Sequence, residues 1–290
     1  MKPYTLTWGN HSLEIGRRTL VMGILNTTPD SFSDGGKFEL FTDAITHARR
    51  MIADGADLID IGGESTRPFS DPVREDVEIE RTVPVIRQLV QETSIPISID
   101  TNKAAVAEAA LAAGASVIND ISALRNDPKM APLAAKSGSP VILMHMQGTP
   151  KTMQAEPTYD DVTTEVIEFL KSAAADAQKQ GIPPTKIFID PGIGFGKTTA
   201  HNLTLIKHLS RFQKLGLPVV IGTSRKAFIR KTLAGDSGEA LLPHMPIVET
   251  GSRATVVASI LGGAHIVRVH DVAGAVAVAK ITDAIVNAPD

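Results

Sequence analysis

Residues 97–120 read ISIDTNKAAVAEAALAAGASVIND and contain one complete strand, helix and strand unit. Its two apolar runs have the length of buried strands, and they stop abruptly at Asp100 and Asn119. Between them, the stretch from Lys103 to Ala113 predicts a helix. A buried strand that is joined to the next one through a helix is the repeating unit of a parallel α/β fold.

That unit recurs along the whole chain, in which eight apolar runs of strand length end at polar residues. The runs are Leu20–Leu25, Leu58–Ile61, Ile97–Ile99, Val117–Ile118, Val141–Met144, Ile187–Ile189, Val219–Ile221 and Ile266–Val267. Stretches of helical length lie between them, among them Asp43–Asp54, Val73–Gln91, Lys103–Ala113, Tyr159–Gln180 and Asp271–Val286. This alternation predicts a closed parallel (β/α)8 TIM barrel, in which the carboxyl ends of all strands open on one face and carry the chemistry.

The length and the start of the chain fit one such barrel. Its 290 residues, of which 43% are hydrophobic, suffice for a single domain that spans residues 1–290. Within residues 1–18, Tyr4, Leu6 and Trp8 alternate with polar residues before a turn at Gly9. This alternation predicts a short β-hairpin that caps the bottom of the barrel.

Bulk composition disfavours several classes of function. A formal charge of −3 provides no basic field for nucleic acid or for an acidic membrane, so an anionic substrate would have to be held by local groups. The chain has no cysteine, which suits a reducing cytosol. It opens without a secretory leader, and its apolar runs are shorter than the roughly 18 residues of a membrane span. We therefore expect a cytoplasmic protein with neither nucleic-acid nor membrane partners.

Polar residues at the predicted strand ends indicate a ligand site. Asp100, Asn119 and Asp190 would lie at the mouth of an apolar barrel, where an unpartnered carboxylate or amide is costly. A heteroaromatic ring with amino and carbonyl edges would satisfy all three groups. The alternative is a rim network in which each group is paired with an arginine or with the backbone.

A second set of residues points to an anion. The tripeptide Ser224-Arg225-Lys226 follows the seventh run and opens a helix, so backbone N–H groups and two cations converge where the helix dipole is positive. Arg268 and His270 end the eighth run on one face of the strand, next to Asn26 of the first run. The loops after strands seven and eight often bind phosphate in such barrels, so these three residues form the predicted anion pocket. In the alternative, Arg225 and Arg268 pair with nearby acids.

The run Asp190-Pro-Gly-Ile-Gly-Phe-Gly-Lys-Thr198 is not a nucleotide loop, because its glycines miss the spacing of both the P-loop and the dinucleotide fingerprint. It predicts instead a flexible turn that brings Phe195 close to the site floor, where its ring can pack on a planar ligand.

The histidines show no metal-ligand spacing. A hard cation could still arrive with a phosphate substrate and use Asn26 as its one protein ligand.

Successive stretches of the chain resemble one enzyme family. They are Gly23–Gly36 (GILNTTPDSFSDGG), Asp60–Pro68 (DIGGESTRP), Ser98–Thr101, Asn119–Ile121, Asp190–Phe195, Ser224–Lys226 and Arg268–His270. In these motifs and in their order, the chain is similar to dihydropteroate synthase. The resemblance implies a transferase of folate biosynthesis that joins p-aminobenzoate to 7,8-dihydropterin-6-ylmethyl diphosphate, releases diphosphate with the help of Mg²⁺, and is the target of sulfonamides.

The resemblance also implies roles for particular residues. The pterin site would comprise Asp100, Asn119, Met144, Asp190, Phe195 and Lys226, and the diphosphate site Asn26, Thr66, Arg268 and His270. The p-aminobenzoate pocket would comprise Thr66, Arg67, Pro68, Phe195, Lys226 and Ala227, and Asn26 would also bind Mg²⁺. Early cleavage of the C–O bond to diphosphate would leave a cationic pterin methylene that Asp100 would stabilise. Asp100, Lys226 and Asn26 would then be the catalytic residues, and loops 27–36 and 65–68 would close over the substrates.

Two departures from the family pattern and two alternative functions accompany this interpretation. Phe69 stands where the family usually has glycine, and Ala227 where it often has serine, so a substrate carboxylate there would bind a backbone N–H at the helix start. A methyltetrahydrofolate-binding methyltransferase is the first alternative, but the two anion motifs are not expected in it. A non-catalytic pterin-binding barrel is the second, and the intact anion pocket argues against it.

The last helix predicts self-association. Its apolar residues form one stripe and also cover much of the remaining surface, with Val272, Ala275, Val276 and Ala279 on the stripe and Ala277, Val278, Ile281 and Ile285 outside it. An outer barrel helix buries only one side, so the rest needs a second cover. The preceding helix, predicted over Ala254–Leu261, is similarly apolar, and the two predict a two-fold homodimer face away from the catalytic rim. In the alternative, barrel neighbours bury both helices.

Overall fold

The structure, a computed structural model, describes residues 3–28, 37–66, 70–235 and 240–289, without the side chains of residues 37–39. Within these ranges, a two-stranded hairpin precedes eight parallel strands. The hairpin consists of β1 Tyr4–Trp8 and β2 His11–Ile15. The parallel strands are β3 Leu20–Asn26, β4 Leu58–Gly62, β5 Ile97–Asp100, β6 Val117–Asp120, β7 Val141–Met144, β8 Ile187–Asp190, β9 Val220–Ile221 and β10 Ile266–Val269. Each predicted apolar run therefore coincides with a strand or overlaps one, and most strands extend past the run into the polar residue that follows it.

The helices follow the strands as predicted. They are α1 Lys37–Ala53, α2 Glu75–Leu89, α3 Ala104–Ala112, α4 Met130–Ser137, α5 Val162–Lys179, α6 Thr199–Lys207, α7 Ala227–Ala234, α8 Pro246–Leu261 and α9 Val272–Val286. Helix α5 begins after Tyr159 because the Asp161 carboxylate accepts the N–H groups of Thr163 and Thr164 and caps it there. Helix α8 begins at Pro246 rather than at Ala254. Across the described ranges, no helix combines the length and the apolar character that a membrane span requires.

The parallel strands form one sheet in the order β8-β7-β6-β5-β4-β3-β10-β9. A single bridge between Ile189 and Val219 joins its two ends, so the predicted (β/α)8 barrel is confirmed. In the register of the sheet, Asp100 lies opposite Asn119, and Arg268 lies opposite Met22. All eight strands run the same way, and their polar carboxyl ends therefore meet on one face.

The opposite end of the barrel is filled by apolar side chains. Leu6, Trp8, Leu13 and Ile15 of the hairpin form one buried cluster with the first halves of the barrel strands, including Leu58 and Phe188. The alternation in the hairpin, with buried residues at every second position, places these side chains inward. The hairpin therefore packs against the amino-terminal halves of the barrel strands.

Candidate active site

The carboxyl ends of the strands bring the predicted ring-binding residues together. Asp100 ends β5, Asn119 lies near the end of β6, and Asp190 ends β8 beside Met144 of β7. Asn119 and Asp190 are buried, and Asp100 is nearly so. The strand geometry thus places three polar groups inside an apolar barrel mouth.

Asp60 of β4 is fully buried, with 0% exposure, and is not among the residues predicted from sequence. Its Oδ2 accepts a hydrogen bond from Asn119 Nδ2 at 3.0 Å and another from Arg268 Nε at 2.6 Å. The Nη2 group of Arg268 also donates to Asp100 Oδ2 at 2.6 Å. Arg268 is thus held by two acids, which agrees with the alternative in which it pairs with nearby acids. The signal in the sequence was a carboxylate inside an otherwise apolar run of strand length.

Burial dominates the electrostatics of this network. It raises the pKa of Asp100 to about 7, although the Arg268 guanidinium acts in the opposite direction. It likewise raises the pKa of Asp190 to about 6 and lowers the pKa of Lys226 to about 8. Burial also acts to lower the pKa of Arg268, but the carboxylates of Asp60 and Asp100 raise it above its ordinary value. The site therefore keeps one permanent cation and several groups that can titrate near neutral pH.

An apolar wall lies beside the polar groups. Met144 and Phe195 belong to a buried cluster with Ile121, Met146 and Met153. The Lys226 ammonium lies 4.2 Å from the centre of the Phe195 ring, within the range of a cation–π interaction. As predicted, Met144, Phe195 and Lys226 are brought together, and they form a surface on which a planar ring can pack.

The loop after β8 is fixed in place, and the prediction of a flexible turn is wrong. The buried Lys197 ammonium donates to His145 Nδ1 at 2.9 Å and to the carbonyls of Gly192 and Phe195 at 3.0 Å each. Gly192 has φ +68°, and a Cβ there would lie 1.9 Å from the His145 carbonyl oxygen. Burial lowers the pKa of Lys197 to about 7. The sequence does not predict this role of Lys197, because the motif indicates only a turn that positions Phe195.

Two further side chains tether the same loop from outside. Gln154 Nε2 donates to the carbonyl of Gly194 at 2.8 Å, and the Tyr159 hydroxyl donates to the carbonyl of Gly196 at 2.7 Å. Most carbonyls of the glycine-rich run are therefore bonded. This restraint fixes the position of Phe195 and of the Asp190 carboxylate that precedes it.

The structure brings together only part of the predicted anion motif. Ser224 Oγ lies 3.0 Å from His270 Nδ1, so the ends of β9 and β10 meet there. Arg225 instead pairs with Glu249 of α8, and its N–H donates to Ser252 Oγ at 3.0 Å while its φ is +59°. The alternative of pairing with an acid is thus the correct one for Arg225. Lys226 remains the cation that the tripeptide contributes to the site.

The remaining predicted residues lie around this network. Asn26 ends β3, next to β10, and is half-buried, as is Thr66 in the loop after β4. Ala227 is the first residue of α7, so its N–H lies at a helix start as predicted. Arg67, Pro68, Phe69 and residues 29–36 lie outside the described residues. Within the described part of the chain, no group of three His, Asp or Glu side chains could hold a metal ion.

A second charged cluster supports the loop after β4. The Lys103 ammonium, at the start of α3, binds the carboxylates of Glu64 and Glu78 and the carbonyl of Val73. Glu64 also accepts the Val73 N–H at 2.8 Å. Lys103 therefore ties the residues before and after segment 65–72 to helices α2 and α3. None of these residues was predicted to have a role.

Comparisons with known proteins agree with this geometry. The family model described as pterin binding enzyme matches residues 22–270. A dihydropteroate synthase from Synechocystis sp. is 46% identical over 283 residues, which are 98% of this chain and 96% of that protein. The structure of the Yersinia pestis dihydropteroate synthase with a sulfonamide drug is 44% identical, with a TM-score of 0.91 over 98% of this chain and 100% of that one. The Xanthomonas albilineans dihydropteroate synthase with 4-aminobenzoic acid is 44% identical, with a TM-score of 0.87 over 96% of each chain.

Proposed function

The chain belongs to the pterin-binding enzyme family, among its dihydropteroate synthases, and from this premise we propose how its residues carry out the reaction. It is a transferase that condenses 7,8-dihydropterin-6-ylmethyl diphosphate with p-aminobenzoate to give 7,8-dihydropteroate and diphosphate. The observation that supports the mechanism most strongly is one continuous network, in which Asp60 joins Asn119 to Arg268 and Arg268 also binds Asp100. The network links a ring site to an anion site.

The pterin ring would bind between the polar groups and the apolar wall. Asp100, Asn119 and Asp190 would bond its N–H and carbonyl edges, because buried polar groups need partners. Met144 and Phe195 would pack on its face. Lys226 lies over Phe195 and close enough to Asp100 and Asp190 to interact with both, so it would bind an acceptor atom of the ring.

The diphosphate would lie on Arg268, His270 and Asn26, with Thr66 at its pterin end. A guanidinium has five N–H donors, and Arg268 uses two of them on Asp60 and Asp100. Asn26 would hold Mg²⁺ through its amide oxygen, which fits an ion that keeps mostly water and phosphate oxygens as ligands. When bound, Mg²⁺ would neutralise charge on the leaving diphosphate.

In the reaction, the C–O bond to diphosphate would break first, and its electrons would leave with the diphosphate oxygen. An ionised Asp100 would stabilise the cationic pterin methylene that remains. The amine of p-aminobenzoate would then attack that carbon and lose its proton to water. No protein nucleophile is needed, and the chain's residues act by binding, orienting and charge stabilisation.

The p-aminobenzoate pocket would be formed by Phe195, Lys226, Ala227 and Thr66, together with Arg67 and Pro68. The carboxylate would bind the first N–H groups of α7, because Ala227 has no hydroxyl to offer. The methyltransferase and the non-catalytic barrel are disfavoured, because the relatives are synthases and because a pterin without diphosphate would bring no anion to Arg268 and His270.

Mass spectrometry of the product tests this function. The enzyme would be incubated with the pterin diphosphate, Mg²⁺ and p-aminobenzoate, and the release of diphosphate would be followed in parallel. We expect dihydropteroate and diphosphate in equal amounts. Diphosphate released without the conjugate would indicate hydrolysis, and the absence of both products would reject the proposed activity.

We also propose that the protein is a cytoplasmic homodimer formed through α8 and α9, which pack side by side. The buried stripe of α9 is Val272, Ala275 and Ala279. Outside it, Ile281 and Ile285 are each 65% exposed, and Leu261 of α8 is 59% exposed. A second copy covering this face would remove that apolar surface from water. The lack of cysteine supports the cytoplasmic location.

Light scattering of Ile281→Glu tests the dimer. Ile281 is a sharper choice than Val278, which packs partly on the barrel core. We expect wild type to have twice the chain mass of 30.8 kDa and Ile281→Glu to have the mass of one chain. Leu203→Glu, at an exposed leucine of α6, is the matched control and should stay dimeric. A monomeric wild type would reject the dimer, and a dimeric Ile281→Glu would reject this face.

A further inference from the structure

We propose that Asp60 is a positioning residue that orients both halves of the pterin diphosphate site at the same time. This inference rests on the proposed function. Asp60 would not touch the substrate but would hold Asn119 and Arg268, the two side chains that do. Asp60 is fully buried in the middle of β4, and its Oδ2 atom accepts from Asn119 and from Arg268. These two partners come from different strands, β6 and β10.

The contact between Asp60 and Asn119 sets the orientation of the Asn119 side-chain amide toward the pterin ring. Because Nδ2 donates one of its two hydrogens to Asp60 at 3.0 Å, the amide is oriented with its oxygen directed away from Asp60, where it can accept from the ligand. Asp190 also presents acceptors in this region. The ring edge that fits two such acceptors carries N–H donors, such as a 2-amino group beside a ring N–H. A 2-oxo analogue would place a carbonyl oxygen against these acceptors.

The contact with Arg268 fixes the plane of the guanidinium. Asp60 holds Nε and Asp100 holds Nη2, both at 2.6 Å, so two separate carboxylates fix two edges of one planar group. Three N–H donors remain for an anion. Without Asp60, the guanidinium keeps a single anchor and can rotate about it. The direction of its free donors, and hence the position of the diphosphate, would then be less defined.

The second carboxylate oxygen of Asp60, Oδ1, is not satisfied by the part of the protein that the structure describes. This atom is buried and has no hydrogen-bond partner among the described residues, and the same holds for Ser98 Oγ at the paired position of β5. A buried carboxylate with an unpaired oxygen is costly to the fold. The proposed role explains why a carboxylate nevertheless stands here, because its other oxygen, Oδ2, orients Asn119 and Arg268.

Calorimetry of Asp60→Ala with two separate ligands tests this role. The ligands are 6-hydroxymethyl-7,8-dihydropterin, which lacks the anion, and inorganic diphosphate with Mg²⁺, which lacks the ring. We expect both affinities to fall about tenfold or more, since each ligand loses a partner held by Asp60. Preference for the pterin over its 2-oxo analogue should fall as well. Asp60→Asn should recover part of both losses, because its amide oxygen can accept from the same two donors.

Asp120→Ala is the matched control. Asp120 is also 0% exposed, but among the residues that the structure describes its carboxylate accepts hydrogen bonds from Ser122 and from the Leu124 N–H, and from neither Asn119 nor Arg268. We expect it to lower the unfolding midpoint while both ligand affinities change by less than about twofold. A loss in Asp60→Ala that is confined to one ligand, or that Asp120→Ala matches, would overturn the proposal. If wild type binds neither ligand, the proposed function fails instead.

Asn119→Asp provides a test that leaves Asp60 in place. It would set a second carboxylate against Asp60 Oδ2, with Arg268, Asp100, Asp190 and Lys226 as the other charged groups around it. Two adjacent carboxylates can share a proton, so the pterin affinity of the variant, divided by that of wild type, should rise several-fold as the pH falls from about 8 to about 6. A ratio that stays constant over this range would show that the two side chains do not interact as proposed.

Discussion

The two ends of the barrel are built from the same eight strands, yet they hold opposite kinds of side chain. At the bottom, Leu6 and Trp8 of the hairpin close an apolar cluster that includes Leu58 and Phe188. At the top, Asp60, Asn119 and Asp190 are also buried, and the side chains of Asp100 and Arg268 are only 11% and 18% exposed. Burial of apolar side chains stabilises the bottom, whereas burial of charged side chains at the top shifts their pKa values, as expected of the proposed ligand site.

The pKa values at the top express that contrast. Burial raises the pKa of Asp100 from 3.8 to about 7 and that of Asp190 from 3.8 to about 6. A carboxyl group with a raised pKa in the folded state favours folding most when it is protonated, so this contribution declines as the pH rises from about 4 through about 7. At neutral pH the top of the barrel is therefore a cost to stability, which the bottom must offset.

Trp8→Ala should have the largest effect, and it should act on stability alone. Trp8 is buried in the hairpin cluster, and removing an aromatic side chain from such a core costs about 3–5 kcal/mol of unfolding free energy. Urea denaturation measures that loss. Pterin affinity, measured by calorimetry well below the unfolding midpoint, should stay within about twofold of wild type. A large loss of affinity would mean that the two ends are energetically coupled.

Arg268→Ala should weaken diphosphate binding by about 2–4 kcal/mol, because the diphosphate loses its main cation and two buried carboxylates lose theirs. A pterin that lacks diphosphate should lose much less. Arg253→Ala, which breaks the exposed pair with Asp271 on the outer helices, is the control and should affect neither ligand. Equal losses for both ligands in Arg268→Ala would remove Arg268 from the diphosphate site.

Asp190→Asn should weaken pterin binding by about 1–3 kcal/mol, because one buried acceptor of the ring is replaced by an amide that presents the wrong group. Asn119→Ala should have a similar effect. Both variants should stay folded, since neither side chain belongs to the apolar core. Unchanged pterin affinity in calorimetry would exclude the altered residue from the site.

The pH dependence of kcat/KM for the pterin diphosphate should show the smallest effect, a change of at most about tenfold per pH unit. The rate should fall below about pH 7, where Asp100 becomes protonated and no longer stabilises a cation. It should fall again above about pH 8, where Lys226 loses its charge. Lys226→Arg should abolish the alkaline decrease. A profile that is flat from about pH 6 to 9 would contradict these assignments.

The sequence is enough to predict the barrel, the hairpin and the strand ends that meet at the site, because each depends on local periodicity and on polar residues that follow apolar runs. It is not enough to predict how side chains pair across the barrel. Arg268 and Asp60 are 208 positions apart, and nothing in either motif shows that they meet. The tethering of the 190–198 loop escaped prediction for the same reason, since Gln154 and Tyr159 act from another element.

A paired measurement on Trp8→Ala and Asp190→Asn tests most directly whether the two ends of the barrel divide stability from catalysis. For each variant, the free energy of unfolding and kcat/KM for the pterin diphosphate would be determined under the same conditions. We predict a crossed result, in which Trp8→Ala loses stability and keeps kcat/KM, while Asp190→Asn keeps stability and loses kcat/KM. Parallel losses of both quantities in either variant would contradict the division.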